Sequence, residues 1–335
     1  MCFVITAAGL PRAAGPSGPS PRPVTSERGR EDRLFRGLAK GAGYGILVLL
    51  VAIGLFLLIQ GWPAVGMRGL HFFTGSGFQT VHKPYAYGVL VSLYGTVVVA
   101  LVALVVGVPL AITTALFLSE YAPAWSRRFL IAVVDLAAAI PSVVYGLWGA
   151  LEFEPNVVGV SGWMSRHLGW IPIFKVVSGP ANASLFIAGL VVGLMIVPIV
   201  ASICREVFSL APAAEREAAL ALGASRWQMI RSVVLPFSRG GIIGAVMLGM
   251  GRALEETIAV TIILGESFLF NHFSVLQHGG STIASLIANH FGAGGQLGLQ
   301  DLLMCGFVLF FITLVVNLVA SRIVFRSRSG AGVEL

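Results

Sequence analysis

Charge is scarce in this chain. Asp, Glu, Lys and Arg together make up 11% of its 335 residues, against about 25% in an ordinary globular domain. That is too little to clothe a water-facing surface, which excludes a soluble enzyme and a disordered chain. Cysteine is sparse as well, at three, so a disulfide-stapled secreted module is also excluded. Cys2 lies in the N-terminal tail, while Cys204 and Cys305 sit in or beside apolar runs as small fillers without metal-ligand spacing. Catalytic signatures are missing too. There is no GxxxxGK[ST] loop to cradle a nucleotide, no HExxH and no GxSxG turn.

What is abundant is apolar. Hydrophobic residues reach 56% and the mean hydropathy is +0.89, which defines an integral membrane protein. A helix needs about 20 apolar residues to cross the hydrocarbon core. Six runs qualify, near 41–60, 88–117, 129–151, 184–203, 240–264 and 300–322. Pro109 is an expected kink in the second. Strand-like alternation in units of about ten residues is absent, which argues against a barrel. The fold class expected is all-α, a polytopic protein with six transmembrane helices.

The placement of Lys and Arg sets the expected orientation. Arg12, Arg22, Arg28, Arg30, Arg33, Arg36 and Lys40 precede the first run, and Arg127 and Arg128 lie between the second and third. Arg205, Arg216, Arg226, Arg231 and Arg239 lie between the fourth and fifth, and Arg322, Arg326 and Arg328 close the chain. The alternate loops carry only Arg68, Lys83, Arg166 and Lys175. The positive-inside rule then puts both termini in the cytosol. The net charge of +7 reports topology, and no nucleic-acid partner is implied. The expected organisation is a disordered cytosolic tail at 1–40, a first helix at 41–60 and an outward loop at 61–87. A transmembrane domain follows at 88–322, holding a cytosolic loop at 204–239, before a cytosolic tail at 323–335. The six histidines (His71, His82, His167, His272, His278, His290) fall in outward loops with irregular spacing and make no metal site.

The 204–239 loop carries the most information. Pro212 suits a first helical turn, Glu215 and Glu217 complement the positive end of the dipole, and Gly223 closes the helix. Ser225 with Gln228 is a capping box opening a second short helix, which Pro236 is expected to end. The first helix is mostly alanine, so another protein can approach it closely.

The string Glu217-Ala218-Ala219, three residues, Gly223, nine residues, Val233-x-Leu235-Pro236 resembles the EAA loop of ABC importer permeases. Two further stretches resemble the phosphate-specific permeases of the PstC type. They are Ala139-Ile140-Pro141-Ser142-Val143-Val144-Tyr145-Gly146-Leu147-Trp148-Gly149 and Gly249-Met250-Gly251-Arg252-Ala253-Leu254-Glu255-Glu256-Thr257-Ile258-Ala259-Val260. The likeness covers roughly residues 85–322. It implies a type I ABC importer permease fold and a loop helix seated on a separate ATPase, with ATP and Mg held there and no cofactor in this chain. It further implies a homologous second permease, an ATPase dimer and an extracytoplasmic phosphate-binding protein. Alternating access is the implied mechanism, the 212–222 helix moving with the ATPase. In one place the sequence departs from the pattern: Glu255 stands where the family usually has Gly.

Three charges in one apolar run demand explanation. Arg252, Glu255 and Glu256 would cost roughly 8–10 kcal/mol if central and unpaired. Both carboxylates lie three or four residues beyond the arginine, on the same helical face. The expectation is a pathway gate in which Arg252 attracts the anion, Glu256 holds it between turnovers and Glu255 is dispensable. The plainer alternative is an ion pair that only fixes packing. Asp135 in the third run either partners Arg252 or sits near the cytosolic interface. Gly41-x-x-x-Gly45 and Gly189-x-x-x-Gly193 are expected helix-packing faces. Two alternatives remain open at this point: an ABC permease for molybdate, sulfate or phosphonate, and an ion-coupled secondary transporter.

Overall fold

The computed structural model describes residues 30–75, 78–79, 86–177, 179, 181–265, 274–292 and 295–328. Cys2, the tail up to Gly29, His82, Lys83, His272 and residues 329–335 lie outside them.

Residues 1–52 and 53–335 form two units. The described part of the first is the leading portion of α1 (Arg30–Arg68). The helix therefore begins eleven residues before the expected start at 41, and residues 30–40 belong to it. Asp32 near its start complements the positive helix end, and the last proline before it is Pro23. Its apolar side chains Leu47, Val48 and Val51 are exposed. Within the first unit no described residue lies within 4 Å of where a Cβ would stand at Gly41 or Gly45, so the packing face expected there has no partner among that unit's described residues.

In the second unit, α2 (His71–Thr74) and a two-residue antiparallel ladder, β1 (Phe78–Gln79) and β2 (Ala86–Tyr87), lead into α3 (Leu90–Leu116). A π turn at Phe117–Tyr121 ends that helix. Then come α4 (Ala124–Ala139), α5 (Ser142–Trp148), a π turn and α6 (Glu154–Leu168). Ser184 caps α7 (Leu185–Ser209) by accepting the Ile187 N–H. The hairpin α8 (Ala213–Ala221) and α9 (Arg226–Met229) follows, then α10 (Leu235–Glu255), α11 (Ile258–Leu264), α12 (Ile283–His290) and α13 (Gly295–Arg328). Among the described residues five helices are long and apolar enough to cross a membrane, or six if the bent pair 124–139 and 142–168 is one span.

Helices α3 and α7 form the centre. A Cβ at Gly189 would stand 2.6 Å from the Val102 Cβ, and one at Gly107 would stand 2.7 Å from the Gly193 carbonyl oxygen. The backbones approach because glycine leaves room, which is how helices gain packing energy where lipid removes the hydrophobic drive. Val99, Ala103, Val192 and Ile196 fill the seam, nearly or fully buried. A second core joins Ala64 of α1, Phe72 and Val89 to Leu302 and Cys305 of α13. Cys204 and Cys305 are both buried, as fillers should be.

Three elements differ from expectation. The third span is broken at Ile140-Pro141, its two parts meeting at 91°, because proline disfavours helix at the residue before it and supplies no N–H. The fifth span is broken at Glu256-Thr257. Pro236, by contrast, breaks nothing. It sits in the first turn of α10, and a π turn at Ile230–Val234 joins α9 to α10 so that Arg226–Glu255 runs as one helix.

Candidate functional site

The two breaks lie side by side. A Cβ at Gly146 of α5 would stand 2.8 Å from the Ala259 Cα of α11, and one at Gly149 would stand 2.9 Å from Val191 and 3.1 Å from Ile263. The Tyr145 hydroxyl reaches back across the proline to donate to the Ala137 carbonyl at 3.1 Å, which also accepts the Ile140 N–H at 3.4 Å where α4 ends.

At the second break the backbone of Glu256 turns extended, with ψ of 121°. Its side chain is 3% exposed. One carboxylate oxygen accepts the Ala259 N–H at 3.1 Å, and the other stands 3.5 Å from an Arg252 guanidinium nitrogen. The expected Arg252–Glu256 pair is therefore present, but not on one continuous helical face. The charges stand at a helix end, where free backbone groups already make the surroundings polar. Arg252 is half-exposed. With Glu255, Met247, Asn317 and Ser321 it lines a cavity of about 670 Å³ between α7, α10 and α13. It is the only basic residue among the described residues of that lining. Glu255 is exposed, and its carbonyl accepts the Thr257 hydroxyl at 3.1 Å.

Asp135 is not brought to this site. It stands 3.9 Å from Arg205, half-exposed, where α4 passes the last turns of α7. The ion pair that composition did not suggest is Arg68–Asp301, between the end of α1 and the start of α13. Asp301 is fully buried.

The hairpin is built as its residues dictate. Pro212 precedes α8, Gly223 takes a left-handed φ of +85°, and Ser225 and Gln228 make both bonds of the capping box. Glu217 and Ala218 are exposed, Ala219 is half-buried against the core, and Leu222 is 90% exposed. Leu235 and Pro236 open α10 beside the buried Val234. Two arginines tie the hairpin to the end of α3. Arg216 donates to the Glu120 carboxylate at 2.9 Å and to the Phe208 carbonyl. Arg226 donates to the Glu120 carbonyl at 3.0 Å, its guanidinium 6.0 Å from the Tyr121 ring centre. In the sequence both arginines bear on orientation alone, and a lone cation within an alanine helix is the hint of this tie.

A fifth span broken beside a cavity rimmed by Arg252, Glu255, Asn317 and Ser321, together with a presented two-helix hairpin, is the frame of an all-helical membrane permease. The family described as the binding-protein-dependent transport system inner membrane component matches residues 107–329. The chain belongs to that family. Its curated relatives include the phosphate transport system permease protein PstC 2 of Mycobacterium tuberculosis, 40% identical over 88% of this chain and 92% of the relative. The PstC protein of Mycobacterium leprae is 41% identical over 91% and 97%. A chain from the crystal structure of a bacterial alginate ABC transporter, with an alginate pentasaccharide-bound periplasmic protein, is 17% identical. It aligns over 88% of this chain and 98% of that one at a TM-score of 0.49.

Proposed function

We propose that this protein is the membrane permease subunit of an ATP-driven importer of inorganic phosphate. The observation that carries the substrate is the 40% identity, over nearly nine-tenths of the chain, to relatives named as phosphate permeases. The hairpin supports the coupling: its shallow alanine face, with Glu217, Ala218 and Gly223 displayed, suits the groove of a separate ATPase. ATP and Mg²⁺ are handled by that partner, and this chain contributes no cofactor. The working assembly contains a homologous second permease, an ATPase dimer and an extracytoplasmic binding protein. Both termini and the hairpin face the cytosol, as the excess of Arg on that side requires. An ion-coupled carrier is set aside because the family is binding-protein-dependent.

Solute released outside descends along α10 to the cavity at Arg252. Ionised together, Arg252, Glu255 and Glu256 sum to −1, which repels an oxyanion. The Glu256 carboxylate, held by the Ala259 N–H, occupies the arginine between turnovers, and phosphate displaces it. Asp135, paired with Arg205, has no part in this pathway.

Uptake of labelled phosphate at micromolar concentration, with other phosphate carriers removed, tests the assignment. Loss on deletion and recovery with the intact gene support it. Unchanged uptake overturns phosphate and directs attention to molybdate, sulfate or phosphonate. Glu255, exposed and outside the Arg252–Glu256 pair, is expected to be dispensable. Glu255→Gly should keep uptake within about twofold of the parent, the range of an exposed substitution. An inactive variant would give Glu255 a role in the pathway.

A further inference from the structure

We propose that Arg216–Glu120, with Arg226 beside it, is the link that carries displacement of the hairpin into α3. Its role is to couple ATP use to transport, and it rests on the function proposed above.

The hold of α8 on the rest of the chain is mostly polar. None of its residues is buried, and Ala219 is the side chain that packs partly on the core. A helix so weakly seated by apolar contact follows its ionic attachments. Those attachments converge. Arg216 from α8 and Arg226 from the start of α9 hold the carboxylate and the carbonyl of one residue, Glu120. The pair is sheltered, Glu120 being 7% and Arg216 21% exposed in their side chains, so water and salt weaken it little. Arg216 also donates to the Phe208 carbonyl at the end of α7, so one guanidinium ties hairpin, α3 and α7 together.

Beyond Glu120 the path is stiff. Helices α3 and α7 are in backbone contact at Gly107, Gly189 and Gly193, and the close-packed seam transmits a shift in place of absorbing it. Glycine 149 of the broken third span and Val191 of α7 touch in turn. Motion entering at Glu120 therefore reaches the neighbourhood of both breaks without passing through a flexible loop.

The test uses the whole transporter in proteoliposomes, with its ATPase, its binding protein and inorganic phosphate. The quantity read is ATP hydrolysed per phosphate imported. A merely structural defect lowers both together and leaves this ratio alone. Glu120→Gln and Arg216→Gln are each expected to raise it about tenfold, the loss of one sheltered charge-assisted bond. The double variant should match either single one, since partners in one bond are not additive. An unchanged ratio overturns the link, whether uptake and hydrolysis stay normal or fall in step. So does a double variant whose effect is the product of the singles. If the unmodified complex hydrolyses ATP but imports no phosphate, the function itself is overturned and this role with it. Normal import by parent and variants alike removes the link alone.

Discussion

Arg252→Ala is expected to abolish phosphate uptake, by about a hundredfold or more, while the transporter still assembles. Arg252 is half-exposed to a cavity whose other lining residues are apolar, neutral polar or acidic. Losing it leaves an anion facing carboxylates alone, and a charge-assisted contact is worth about 1.5–3 kcal/mol before that repulsion is added. The fold should survive because Glu256 keeps its second partner, the Ala259 N–H. Arg252→Lys separates charge from geometry. A lysine retains the charge but not the planar fork that grips two oxygens at once, so it should restore part of the uptake. The checks are labelled-phosphate uptake and recovery of the ATPase with the purified permease. Uptake that persists in Arg252→Ala would leave the Arg252–Glu256 pair as a packing device.

The second large effect is on stability. Arg68→Ala strands Asp301, which is fully buried and whose other oxygen has no hydrogen-bond partner among the described residues. Removing one member of a buried pair costs about 3–5 kcal/mol, and the partial exposure of Arg68, 21%, points to the lower end. A fall of about 6 °C in melting temperature is expected for the purified protein. Replacing both residues, as Arg68→Met with Asp301→Leu, should return most of it, because no charge is then left unpaired. A single variant as stable as the parent would mean that Asp301 is held by something else.

The spans and the hairpin were legible in the sequence because their signals are local. Ser225 and Gln228 make both bonds their spacing promised, and Pro212 and Gly223 bound α8 as they should. The breaks were less legible. Pro141 was visible, but the apolar run around it reads as one span. The break at Glu256-Thr257 has neither proline nor glycine to announce it, and there the charges themselves mark the place. Pro236 misled in the opposite sense, since a stop and a first turn have the same residue and only the π turn before it decides. Asp135–Arg205, Glu120–Arg216 and Arg68–Asp301 join residues 70, 96 and 233 positions apart. No periodicity encodes such pairs.

The uninterrupted helix Arg226–Glu255 makes the hairpin and the charged break two ends of one lever. Thirty residues at helical rise span about 45 Å, so a tilt of about 10° at one end sweeps the other through about 8 Å. That stroke exceeds the width of a small anion, and it is delivered where the lever stops, at Glu255. Arg252 belongs to the lever and Ala259 to the helix beyond, and the Glu256 carboxylate contacts both; a swing of the lever relative to α11 would oblige it to release one of them.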